Sequence, residues 1–143
     1  LSEMTLAHAQ QREQFGRPIA RFQAVQAHLV AIAEESVCAT MAVDTAVLAP
    51  EPEAGPLCAV AKVTAGRAAE RAAACAHQVH GASGTTEEHL LHWYTTRLWS
   101  WQDEAGTAEW WAERLGADVL RRGHESLWPM LTSPHMERHG VPV

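Results

Sequence analysis

The sequence predicts an all-α protein: an up-down, four-helix-type bundle of long antiparallel helices with an additional C-terminal helix. Three observations carry that prediction. Apolar residues recur at steps of three and four over long stretches, with no sustained two-residue alternation. Alanine is abundant within a hydrophobic content of 47%, which favours helix and close helix approach. Glycine and proline collect in short breaks between the periodic stretches.

Each element follows from local signals. The first helix is expected from Ser2, its N-cap with Glu3 in the first turn, through about Gln14. Gly16 and Pro18 end it. The second, about Ala20 to Leu48, carries Phe22, Val25, Leu29, Ile32, Ser36, Ala39, Val43 and Ala46 on one narrow seam. Pro50, Pro52, Gly55 and Pro56 break the chain, and this stretch reads as a loop between antiparallel helices rather than a domain boundary. An alanine-studded third helix follows from about Leu57 to His80, then a turn over Gly81 to Gly84. Thr86 is the expected cap of a fourth helix, with Leu90, Leu91, Tyr94, Leu98, Trp99 and Trp101, ending near Asp103 to Gly106. Thr107 caps a fifth through Arg122, where Arg121 and Arg122 in the last turn and Gly123 beyond it complete a helix end. Residues 1–123 then form the bundle, and residues 124–143 an irregular tail docked through Trp128 and Leu131.

Charge and composition remove several functions. A formal net charge of -6 argues against a nucleic-acid backbone as partner. No apolar run reaches the ~20 residues of a membrane span, and no signal peptide is apparent. The three cysteines, Cys38, Cys58 and Cys75, lack C-x-x-C spacing and fall on predicted helix faces, which points to buried free thiols in a reducing cytoplasm. Among the nine histidines, His77 and His80, and His89 and His92, are spaced to share a helix face. No Glu-x-x-His and no Cys/His cluster of zinc spacing occurs, so no metal is expected. The six tryptophans are expected in the core or at a subunit interface. Adjacent Trp110 and Trp111 cannot both face one core, so one of them is expected against a partner subunit.

Two polar turns remain. Arg12 to Gln23 places an arginine, several amides and an aromatic ring beside Gly16 and Pro18; a guanidinium fork suits a pyrophosphate. Gln78 to Thr85 adds glycines that let backbone approach a ligand closely. Together they point to a flavin nucleotide site.

The residues of both turns resemble the acyl-CoA dehydrogenase family. Arg12, Gln14, Phe15, Gly16, Pro18, Ile19, Phe22 and Gln23 fit its R-x-Q-F-G-x-P-I-x-x-F-Q signature, and Gln78, Val79, His80, Gly81, Gly84, Thr86 and Glu88 fit its Q-V-H-G-G-x-G-[YF]-T-x-E turn. The resemblance covers roughly Leu1 to Leu115. It implies FAD as cofactor, with Arg12 at the pyrophosphate, Gln14, Phe15 and Gln23 beside it, and Gln78, His80 and Gly81 at the nucleotide end of a flavin held mainly by a neighbouring subunit. Thr107 and Glu109 match positions near the flavin. Ala82 stands where the family usually has a second glycine, and its methyl is expected to narrow the pocket or force a positive dihedral. Many members carry the base that removes the α-proton of an acyl-CoA in a Glu-Gly-Thr triplet. Here the stretch is Asp103-Glu104-Ala105-Gly106-Thr107, so Ala105 takes the expected place and Glu104 is the candidate base one residue early.

The resemblance further implies a homo- or hetero-oligomer, a dimer or tetramer, and an electron-transfer flavoprotein or similar acceptor. It implies an N-terminal helical domain and a β-domain ahead of this region, so the chain is expected to be a C-terminal piece that does not turn over substrate alone. The alternative is a non-catalytic partner subunit or helical assembly module of the same family.

Overall fold

In a computed structural model, which describes residues 1–51 and 53–132, the chain is built almost wholly of helices. Helix α1 spans Ser2–Gln11, α2 Gln23–Leu48, α3 Ala54–His80, α4 Leu91–Asp103, α5 Ala108–Arg122 and α6 Leu127–Thr132. Helices α2 and α3 run antiparallel. Val25 and Leu29 pack with Val79 at one end, Ile32 with Ala72 and Ala76 in the middle, and Ala46 with Leu57 and Ala61 at the other. Helix α3 is the spine, because α1, α2, α4 and α5 all pack on it. Its buried positions are largely alanine: Ala59, Ala61, Ala68, Ala72, Ala73 and Ala76. Small side chains let the helices approach closely, and at Gly66 an added Cβ would sit 3.3 Å from the Cβ of Ala108 in α5.

Local chemistry moves several boundaries. Helix α1 stops at Gln11, not Gln14, because Arg12 is already extended (φ −75°, ψ 120°). A two-strand hairpin follows, β1 (Glu13–Gln14) against β2 (Arg17–Pro18). Phe15 (φ 53°) and Gly16 (φ 76°) both take positive φ, the pairing a two-residue type I′ turn requires. Ile19–Arg21 forms a single 3-10 turn, so α2 begins at Gln23 rather than Ala20. Helix α3 begins before the expected Leu57, with Gly55 and Pro56 inside its first turn. There the N–H that proline lacks has no intrahelical partner to lose.

The expected caps divide. Thr107 caps α5, accepting the Trp110 N–H at 3.3 Å, and Gly123 (φ 92°) ends that helix. Ser2 is not a cap. It is the first helical residue, and its hydroxyl meets that of Ser36 at 2.9 Å. Thr86 does not cap α4 either; its hydroxyl turns back to the Ser83 carbonyl. The N–H of Leu91, the first residue of α4, instead donates to His89 Nδ1 at 3.1 Å. Residues 124–132, expected to be irregular, hold a 3-10 turn and α6. Pro129 is tolerated because it falls in the first turn of that helix. Trp128 is 73% exposed and so is not a docking residue, while the Leu131 side chain and residues 133–143 lie outside the described residues.

Two core expectations also change. Cys38 and Cys58 are exposed and Cys75 is half-buried, so these free thiols are not core residues. None of the six tryptophans is fully buried: five are exposed and Trp111 is half-buried. On α2, Ser36 and Val43 of the expected seam are exposed, while Ile32 and Ala46 are buried. Val30, Val37, Met41, Val47 and Leu48 stand exposed on the same helix.

Candidate functional site at one end of the bundle

The two polar turns meet at one end of the molecule. Ile19, just past the hairpin, packs with Ala9 of α1 and Val79 of α3, and Phe22, Val25 and Leu29 close over them. The hairpin is thereby fixed beside the last turn of α3 and the 3-10 segment Gly81–Thr85 that follows. Arg12 lies at the end of α1, its backbone N–H donating to His8 O and its carbonyl accepting from Ile19 N–H, both at 2.8 Å. Its side chain is exposed and enters no ion pair among the described residues. Gln14, Gln23 and Gln78 are likewise exposed. Phe15 projects from the hairpin tip, 91% exposed, with its ring edge against Phe22 at 6.0 Å. Arg17 covers the Phe22 ring at 4.3 Å.

In the second turn the positive φ falls on Gly81 (59°), not on Ala82. The expected strain at Ala82 is therefore absent; its carbonyl simply accepts the Thr85 hydroxyl at 2.8 Å. Gly84 has a different task. A Cβ there would lie 2.7 Å from His80 Cβ and 2.8 Å from Leu91 Cδ2. Glycine at that position lets the loop close onto α3 and α4.

Beneath the turns, three histidines from three segments converge. His8 of α1 stacks on His80 at 4.1 Å between ring centroids, and His89 stands edge-on to His80 at 4.7 Å. His80 is only 4% exposed, and neither of its ring nitrogens has a hydrogen-bond partner. Burial, then the neighbouring His8, His89 and His77, lower its pKa to about 4. Burial, His89 and Arg12 lower that of His8 as well. Sequence spacing suggested the pairs His77/His80 and His89/His92. Neither pair joins its rings: His77 turns to Thr95 (3.3 Å) and stacks on Trp99, and the His92 ring bonds the His89 carbonyl rather than its ring. No local motif marks the His8–His80–His89 group, since its members come from α1, the end of α3 and the segment before α4 and meet only through tertiary packing.

The remaining candidates lie elsewhere. Lys62 of α3 ties down the α4–α5 loop, its ammonium donating to the carbonyls of Trp101 (3.1 Å) and Glu104 (2.6 Å). Lys62 and His80 are separated by about 27 Å of helix at 1.5 Å per residue. The structure therefore does not join Glu104 and Thr107 to the two turns within one chain. The Glu104 side chain is exposed rather than held in an apolar pocket. Ala105 takes a left-handed conformation (φ 58°) and Gly106 follows at 96°. The Trp111 indole N–H holds this loop through the Ala105 carbonyl at 2.8 Å. The Glu109 carboxyl is held below its usual range by its own backbone N–H and the Thr107 hydroxyl. A groove of about 350 Å³ lies further along, between the start of α3 and Trp111, Arg114 and Arg121 of α5, away from both turns.

These features define an all-α domain with a polar, donor-rich end. The model of the acyl-CoA dehydrogenase C-terminal domain matches residues 1–120, and the chain belongs to that family. It is 36% identical over 126 residues to acyl-CoA dehydrogenase IpdE2 of Mycobacterium tuberculosis, covering 88% of this chain and 36% of the relative. It thus spans about a third of the length of that protein. Among solved structures it is similar to the ChsE4–ChsE5 complex from Mycobacterium tuberculosis (29% identity, TM-score 0.77, 83% of this chain and 33% of that one). It also shares the fold of PigA in its FAD complex (22% identity, TM-score 0.77, 85% of this chain and 32% of that one). Among the described residues no helix is long and apolar enough to cross a membrane.

Proposed function

We propose that this chain is the C-terminal helical domain of a flavin-dependent acyl-CoA dehydrogenase that desaturates an acyl-CoA thioester between its α and β carbons. The observation that carries this reading is the shared end of the bundle, where Ile19 packed on Val79 sets one turn beside the other. An unpaired guanidinium, three exposed amides and an exposed ring stand together there. The residues fit FAD: Arg12 offers a fork for the pyrophosphate, Gln14, Gln23 and Gln78 offer amides, and Phe15 an apolar face. Around Gly81 nothing lies within 4 Å of where a Cβ would be, so backbone is open to a ligand. His80 is set back beneath this surface, and Thr107 belongs to the distant loop.

FAD, when bound, supplies the acceptor for the β-hydride, and an electron-transfer flavoprotein or similar carrier reoxidises it. The chain's own residues bind and orient the dinucleotide and form a wall of the acyl pocket. Glu104 is the carboxylate assigned to α-proton removal, with Thr107 near the flavin. On this reading the two ends of one domain, separated along α3, serve different cofactors in an oligomer. One observation favours a second reading, a non-catalytic partner subunit: Ala105 stands where a carboxylate would be expected.

The test uses the complete reading frame. Bound flavin, lost or weakened about tenfold in Arg12→Ala through removal of charge-assisted hydrogen bonds, is the expected result. Dehydrogenation of acyl-CoA thioesters with an artificial acceptor, abolished in Glu104→Gln, supports the enzyme. Flavin binding with turnover only when a second homologue is co-expressed supports the partner. A protein that neither binds flavin nor responds to Arg12→Ala overturns both.

A further inference from the structure

We propose that His8, His80 and His89 form a binding site for a divalent transition-metal ion of the zinc type. The ligand atoms of the three rings all lie within 4.8 Å of one another. Tetrahedral zinc–imidazole bonds of ~2.0–2.1 Å hold ligand nitrogens ~3.3 Å apart, so the widest pair closes by about 1.5 Å, within reach of side-chain rotation. Imidazole donors with no thiolate and no carboxylate suit zinc, copper, nickel or cobalt, and not calcium or magnesium.

The second observation is His80 itself. It is buried to 4% exposure with both ring nitrogens unpartnered, an arrangement that buried polar groups otherwise avoid. Among the described residues no acid pairs with any of the three rings. The usual second role of a buried histidine, as one half of an ion pair, is therefore missing.

Coordination has one local consequence. His89 Nδ1 now accepts the Leu91 N–H at 3.1 Å, which places the ring proton on Nε2. If Nε2 takes the metal, its proton moves to Nδ1; if Nδ1 takes it, the metal replaces the N–H. Either way the Leu91 contact is released at the first turn of α4. Three protein nitrogens leave a fourth position for water, and His8 and His89, both half-buried, leave that side open. The site sits beneath the proposed flavin surface but does not depend on it.

The experiment is titration of the full-length protein, stripped of metal by a chelator and of flavin, with Zn²⁺ alone by calorimetry. One equivalent is expected in the wild type, with affinity reduced about 100-fold or more in His8→Gln and in His89→Gln, each removing one ligand. His124→Gln, which changes an exposed histidine outside the group, is expected to bind normally. Both cluster variants change half-buried rings, so their folding is checked by thermal unfolding. Zn²⁺ is expected to raise the wild-type melting temperature and to leave theirs unmoved. No binding, or binding that survives both variants and falls with His124→Gln, overturns the site.

Discussion

Gly84→Ala isolates the packing that holds the second turn against the bundle. The new Cβ meets His80 Cβ at 2.7 Å and Leu91 Cδ2 at 2.8 Å. Neither neighbour can yield easily: Cβ moves only with the α3 backbone, and Leu91 is fully buried. Overpacking of this kind costs about 1–3 kcal/mol. Alanine returns about 0.4–1 kcal/mol by restricting the unfolded chain, which leaves a net loss of about 1–2 kcal/mol. For a chain of this size that is a fall in melting temperature of about 3–7 °C. Gly116→Ala is the internal control. It lies in the exposed interior of α5 with nothing within 4 Å of the added Cβ, so helix propensity alone predicts a gain of about 1 kcal/mol. Thermal unfolding of the two variants should therefore move in opposite directions. If Gly84→Ala is as stable as the wild type, the close approach of loop, His80 and Leu91 is not what the glycine provides.

Two further perturbations test other parts of the structure. Unfolded, the His80 ring takes a proton below about pH 6.5; folded, it does so only below about 4. Between those values the unfolded state binds more protons, so stability falls as pH drops. Urea unfolding should lose about 1–2 kcal/mol by pH 5, the lower figure allowing for screening at the open rim of the cluster. His80→Gln should flatten that dependence, and an equally steep profile in the variant would rule out this ring as its source. Lys62→Met keeps most of the side-chain stem but removes both hydrogen bonds to the end of α4. It should cost about 1 kcal/mol and speed amide exchange across residues 101–107, and unaltered exchange there would mean that the loop is held by Trp111 alone.

The helices were legible because their signals are local: the seam of α2, the alanines of α3, and Thr107 and Gly123 around α5. The hairpin was not, because Phe15 and Gly16 read equally as a helix stop, and only their positive φ values distinguish a type I′ turn. Gly55-Pro56 looked like a breaker because the pattern does not say whether a proline falls before or within a first turn. Both turns of the candidate site were legible by motif, and α1 packing on α3 sets them together. The histidine group was invisible for the opposite reason: positions 8, 80 and 89 share no spacing, and their meeting depends on tertiary packing. The tryptophans, expected in the core or at a subunit interface, are not fully covered within this chain, because ring size says that a residue wants cover, not that its own chain supplies it.

That last point bears on what α2 is for. Val30, Val37, Met41 and Leu48 project within about 40° of one another on a 3.6-residue helix, and all four are exposed. The buried positions Ile32 and Ala46 lie on the opposite side. A helix with apolar stripes on both faces is normally enclosed by structure on both, and among the described residues α3, α1 and the Ile19–Arg21 turn pack on α2 and leave this stripe open. The outer stripe is thus left for a second copy or another segment to meet. In the proposed oligomer it should lie in an interface. Val37→Lys with Met41→Lys then leaves helicity unchanged, since both positions are exposed here, but lowers the assembly state of the full-length protein in sedimentation. An assembly that forms undiminished with two lysines on the stripe would place the interface elsewhere and leave the exposed face of α2 to another segment of the same chain.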